Sequence, residues 1–219
     1  MNKDASHFLS SWQHTLPSSN PYLHYFVKNI FRQELLNQLQ NLPFKAYDLD
    51  YKLGRREEFN SYRQYFNPEI TQAYPCAKHV ADAFLDPSII SFIEQEGQCS
   101  LKDSSLRIEY TLDKEKFWLE PHTDIGEKLF TMVIYLSNDK DSQDWGTDIY
   151  CDANTYHSTV PYEENSAVIF FPSEISWHGF RPRAIHGIRK TLIVNYVTQA
   201  WRSRHELVHP NKTVQELLA

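Results

Sequence analysis

The chain has 219 residues, a net charge of −6, and 41% hydrophobic and 23% charged residues. That length suits a single domain, residues 1–219, able to bury a sizeable core; the acidic balance is a poor match for a nucleic-acid backbone unless a local basic patch forms. No apolar run approaches the roughly 20 residues of a membrane span, and Cys76, Cys99 and Cys151 are odd in number and far apart, which argues against a disulfide framework or a cysteine-based zinc site.

The stretch from Met1 to Pro17 lacks the apolar centre of a secretory signal, so the expected setting is cytoplasmic. Phe31, Leu35, Leu39 and Leu42 recur at helical spacing and stop at Pro43, which predicts an amphipathic helix over about 30–42. Residues 44–66 are polar and aromatic and predict at most a strand or a long loop. Asn67-Pro68 and Asp86-Pro87 each pair a capping side chain with a proline at the first helical position. A further helix around Ala77–Leu85 lies between them, and Gly97 is the expected stop after Ile89, Ile90 and Ile93. From Leu101 the period changes. Leu106–Leu112, Phe130–Leu136, Ala167–Phe171 and Arg189–Thr198 predict strands separated by turn residues, the pattern of a sandwich or barrel. The tail from Trp201 is polar, with room for one short helix. The chain thus divides into a mostly helical support, residues 1–100, and a strand-rich core, residues 101–200.

Chemistry concentrates in Glu120-Pro121-His122-Thr123-Asp124. Residues two apart on an extended backbone share a face, so His122 and Asp124 can offer an imidazole nitrogen and a carboxylate oxygen to one ion. A bare His-x-Asp is weak, since chance supplies one such pair in a chain this size, and its plain reading is a polar surface loop. A second imidazole would complete a two-histidine, one-carboxylate face that leaves open positions, the arrangement of non-haem Fe(II) oxygenases. His178 lies just past the apolar run Ala167–Phe171, and Arg189 follows it by eleven residues at the start of a strand. Alternation puts Arg189 on one face with Thr191, Ile193 and Asn195, and Leu192, Val194 and Tyr196 on the other, a stripe for the front helices to cover. A buried face that begins with arginine needs an anion; the far carboxylate of a dicarboxylic acid would supply it through a bidentate fork.

From about Leu106 to Thr198 the chain resembles the Fe(II)/2-oxoglutarate-dependent dioxygenase superfamily, nearest its prolyl-hydroxylase-like branch. The resemblance rests on an ordered set: Tyr110 in Arg107-Ile108-Glu109-Tyr110, then His122-Thr123-Asp124, then Ile134-Tyr135-Leu136-Ser137, then His178, then Arg189. It implies a mainly β fold with flanking α, a double-stranded β-helix (jelly-roll or cupin-like) with N-terminal helices packed on one face. It also implies Fe(II) held by His122, Asp124 and His178, with 2-oxoglutarate and O2 as co-substrates. Arg189 would pair with the C5 carboxylate of 2-oxoglutarate, Tyr135 would donate to the same carboxylate, and Tyr110 would line the pocket near the chelating end. Asn195 would reach the co-substrate or the substrate.

Against His178 stand His157, in a polar stretch, and His186, too close to Arg189 for a neighbouring strand. Two features depart from a minimal pattern: the acidic segment Asp139–Gly146, and Lys128, a rival to Arg189 as anion partner. Trp177 and Phe180 are expected to pack the barrel rim. The implied reaction is hydroxylation of an unactivated C–H bond of a small-molecule or amino-acid-like substrate, with release of succinate and CO2 and no nucleic-acid or membrane partner. The rival readings are a non-catalytic or sensing barrel that binds a metal or small anion, and a cupin-like hydrolase or isomerase, which has no use for a buried dicarboxylate anchor.

Overall fold

The structure is a computed structural model that describes residues 2–124 and 126–219, the side chains of Glu57, Glu58 and Asn60 excepted. In chain order come α1 (Lys3–Gln13), β1 (His24–Lys28), α2 (Gln33–Gln40), a 3-10 stretch (Arg56–Tyr62), β2 (Gln64–Tyr65), α3 (Pro68–Ala73), α4 (Pro75–Phe84) and α5 (Pro87–Gly97). The strands β3 (Ser105–Asp113), β4 (Leu119–His122), β5 (Lys128–Tyr135), β6 (Asp148–Tyr150), β7 (Tyr156–Thr159), β8 (Ser166–Phe170), β9 (His178–Phe180) and β10 (Arg189–Val197) follow, and α6 (Val214–Leu218) closes the chain.

Local chemistry sets the helix ends. The Asn67 side chain accepts from the Ile70 N–H, and that of Asp86 from the Ser88 N–H, each ahead of a proline that needs no such partner. Gly97, expected as the stop of α5, is its last residue; Gln98 takes the left-handed turn at φ 47°. Two elements had no clear signal in the sequence. In α1 Ala5, Phe8 and Trp12 are the buried apolar residues, spaced three and four apart, with Leu9 packed beside them. β1 is recognisable only by its partner, since it adds an edge to β8 with Tyr25 opposite Ile169.

The strands form two antiparallel sheets, one in the order β1-β8-β5-β10-β3-β2 and one in the order β4-β9-β6-β7. This is the double-stranded β-helix with N-terminal helices on one face. The helix-facing core joins Phe8, Leu36, Val80 and Ile93 to Ile108, Leu192, Val194 and Tyr196, so the stripe on β10 is covered as expected. A second core lies inside the barrel, around Tyr135, Trp145, Tyr162, Phe170 and Phe180. Among the described residues no helix is long and apolar enough to cross a membrane.

Candidate active site

β4 and β9 pair so that His122 stands directly opposite His178. Their ring centroids are 4.3 Å apart. Gly179 allows this approach: a Cβ there would lie 3.0 Å from the Leu119 carbonyl oxygen, tight enough to push β4 away. Each histidine points Nδ1 at the backbone carbonyl two residues before it, His122 at Glu120 (2.8 Å) and His178 at Ser176 (2.9 Å). A carbonyl only accepts, so Nδ1 carries the proton and Nε2 keeps its lone pair for a metal. Burial first, and the neighbouring His122 second, lower the pKa of His178 to about 4, which keeps this imidazole neutral at pH 7.

Asp124 completes the group, with its side chain only 4% exposed. Burial by itself would raise its carboxyl; the Lys128 ammonium, His178 and the Thr131 hydroxyl outweigh that and hold it below the usual carboxylate range. Thr131 Oγ1 donates to Oδ2 at 2.6 Å and Lys128 Nζ to Oδ1. One donor atom from each of His122, Asp124 and His178 lies within 4.8 Å of the others. Two imidazoles and an ionised carboxylate, brought together and oriented by backbone carbonyls and a threonine, fit a divalent transition ion.

These residues open onto a cavity of about 470 Å³, which Arg189, Thr191 and Ile193 of β10 also line. Arg189 is 3% exposed, as a face closed to water requires. Its Nε donates to the Trp145 carbonyl at 2.7 Å, and its Nη1 to Asp113 Oδ2 at 2.8 Å. Asp113 is also gripped through both oxygens by Arg56, each contact 2.9 Å. Two guanidinium groups therefore share one carboxylate, and the cluster keeps one positive charge in excess. Lys128 is not Arg189's rival at that end: it belongs to Asp124.

Three expectations for the pocket are corrected. Tyr110 pairs with Leu192 across β3 and β10, so it shares the helix-facing side, and its hydroxyl donates to the Leu39 carbonyl at 2.9 Å. Tyr135 does face into the barrel, but it lies behind Thr147: its hydroxyl donates to Thr147 Oγ1 at 2.9 Å and accepts from the Thr147 N–H at 3.0 Å. A phenol has one proton to give, and here it is spent; Thr147 lines the cavity in its place. Asn195 does not point at a co-substrate either. It donates to Thr131 Oγ1 at 2.9 Å and accepts from Arg107 Nη1 at 3.1 Å. His157 and His186 are exposed.

Sequence reasoning missed the charged wall opposite the metal ligands. Arg107 is 1% exposed and Glu109 1%. Arg107 donates to Glu109 at 2.9 Å and to Glu206 at 2.5 Å, and Arg63 holds both oxygens of Glu109. Burial works against the Glu109 carboxylate, yet Arg63 and Arg107 prevail and hold its pKa below the ordinary range. A continuous set of hydrogen bonds thus runs from Asp124 through Thr131, Asn195 and Arg107 to Glu206. The available signal was the alternation of Arg107, Glu109 and Asp113 with Leu106, Ile108 and Leu112, which marks a strand with one charged face.

Residues 108–198 match the family model described as the 2OG-Fe(II) oxygenase superfamily. The match makes the barrel, from β3 to β10, similar to that superfamily. Fe(II), 2-oxoglutarate and O2 are the cofactors of that superfamily, as the sequence resemblance implied. None of the curated proteins compared matches the sequence. Among solved structures, a prolyl hydroxylase from Trichoplax adhaerens, in complex with a peptide of the hypoxia inducible factor oxygen degradation domain, is similar over 89% of both chains, at 12% identity and TM-score 0.60. A Pseudomonas putida prolyl-4-hydroxylase is similar over 90% of this chain and 100% of its own, at 14% identity and TM-score 0.57. HygX from Streptomyces hygroscopicus with iron bound is similar over 91% and 88%, at 12% identity and TM-score 0.50. At such identities these likenesses are of fold alone.

Proposed function

We propose that the chain is an Fe(II)- and 2-oxoglutarate-dependent oxygenase that hydroxylates an unactivated C–H bond of a small-molecule or amino-acid-like substrate, releasing succinate and CO2. The observation that carries this reading is the position of His122, Asp124 and His178 on the same cavity as a buried, cationic Arg189. His122 and His178 would hold the metal through Nε2, and Asp124 through its carboxylate. The Arg189 guanidinium would seat the distal carboxylate of 2-oxoglutarate, with Asp113 and Arg56 fixing its direction. Phe180, Val133 and Ile193 line the walls between and keep water out. Bound there, iron with 2-oxoglutarate and O2 supplies the oxidising chemistry, and the protein supplies binding and orientation. A cavity of about 470 Å³ falls in the range of small-ligand sites, which favours a small molecule over a peptide such as the one bound to the Trichoplax enzyme.

The test is spectroscopic and kinetic. Anaerobic addition of Fe(II) and then 2-oxoglutarate should produce a weak visible charge-transfer band, and aerobic incubation with a substrate panel should release succinate. His122→Ala should lose both. Turnover that persists without metal would refute the assignment. Lys128 on Asp124 and Asp113 on Arg189 are protein partners already in place, which gives substance to the rival reading of a barrel without turnover; a band with no succinate from any substrate would favour that rival.

A further inference from the structure

Among the described residues, the charges that line the cavity fall into balanced sets with two exceptions. Arg63 and Arg107 are matched by Glu109 and Glu206, and Arg55 by Glu120 at the mouth. The first exception is the pair Arg56 and Arg189 on the single carboxylate of Asp113, whose surplus positive charge suits the distal carboxylate of a keto diacid. The second is Lys128. Its ammonium pairs with Asp124, the same carboxylate that a metal would take. A divalent ion on Asp124 is neutralised by that carboxylate together with the near carboxylate of the co-substrate. Lys128 then has no negative charge of its own, although its side chain is only 18% exposed and lines the cavity beside the metal ligands. A cation so placed needs a counter-charge. The surplus is one unit, which matches a monoanion such as a carboxylate and not the dianion of a phosphate monoester.

We infer that Lys128 receives a carboxylate of the substrate, so that the substrate of this site is a small carboxylic acid. The inference rests on the oxygenase reading above. Lys128 sits within contact of Asp124, so the same side chain that occupies the carboxylate before metal loading would be released to bind substrate afterwards.

The probe is a set of N-acetyl amino acids and aliphatic and aromatic monocarboxylic acids, each beside its carboxamide, added anaerobically to protein loaded with Fe(II) and saturating 2-oxoglutarate. Binding is read as perturbation of the metal-centred visible band, and succinate release is read separately in air. At least one acid should bind about tenfold tighter than its amide, the worth of one charge-assisted contact. Lys128→Met should reduce that ratio to below about twofold, and Lys128→Arg should restore part of it. The acid-to-amide comparison in the unaltered protein stands even where a variant folds poorly. A band that forms but responds equally to acids and amides, or to neither, overturns the inference and leaves the oxygenase reading intact. Discrimination that survives Lys128→Met, with only the iron affinity altered, also overturns it and makes Lys128 a positioning residue for Asp124. Failure of the band to form at all sinks the oxygenase reading instead, and this inference with it.

Discussion

Toward the helices, β3 and β10 set Leu106, Ile108 and Tyr110 against Tyr196, Val194 and Leu192; toward the barrel the same two strands set Arg107, Thr111 and Asp113 against Asn195, Thr191 and Arg189, with Glu109 opposite Ile193. Both faces are almost wholly closed to water. The first gains stability in proportion to apolar area and tolerates similar shapes. The second is held by a network in which every member needs its partners, because a buried charge left alone costs more than the pair contributes. Two faces of one ribbon therefore answer differently to substitution.

Arg107→Ala tests the polar face most severely. It strips Glu109 of one partner, leaves Glu206 without its arginine and leaves the Asn195 Oδ1 without its donor, and should cost about 3–5 kcal/mol in urea unfolding of the metal-free protein. It should also weaken Fe(II) binding, since Asn195 and Thr131 then orient Asp124 less firmly. Leu192→Ala, on the other face, should cost about 3 kcal/mol through the cavity it leaves while Fe(II) affinity, followed by titration, moves less than twofold. A larger shift in iron affinity would show that the faces are mechanically coupled.

Arg189→Met should raise the Kd for 2-oxoglutarate roughly thirtyfold, about 2 kcal/mol for a charged contact. Its stability cost should stay below that of Arg107→Ala, because Asp113 keeps Arg56 through both oxygens. An unchanged Kd would remove Arg189 from the co-substrate site.

Acid should erode the polar interior of the barrel, His178 of β9 first and then Glu109 of β3. The His178 pKa is lowered to about 4, so the unfolded chain takes up a proton near the ordinary value of about 6.5 while the folded one resists. Stability of the metal-free protein should therefore fall as pH drops from about 6.5 toward 4. The Glu109 carboxyl is depressed as well, so its contribution is complete above about 4.3 and is lost as pH falls below that. Urea midpoints at a series of pH values should show both stages, and Glu109→Gln should flatten the second. A midpoint flat from pH 7 to 4 would contradict the burial of a neutral His178. The smallest effect belongs outside both faces: Lys78→Ala breaks an exposed contact with Asp82 on α4 and should cost below about 0.5 kcal/mol.

Local chemistry made much of this molecule legible from its residues. Asn67-Pro68 and Asp86-Pro87 announce helix starts because a cap and a proline act over three residues. Alternation put His122 with Asp124, and Arg189 with Thr191, because a strand's parity needs no knowledge of its neighbours. Parity does not say which face is inside, and only pairing decides that. Tyr110 falls on the helix side because it stands opposite Leu192; Tyr135 is inward but its proton goes to Thr147, twelve residues on. The meeting of His122 with His178, of Arg189 with Asp113, and of Arg107 with Glu206 joins residues far apart in the chain. Such contacts follow from sheet register and barrel closure, and no short-range pattern encodes them.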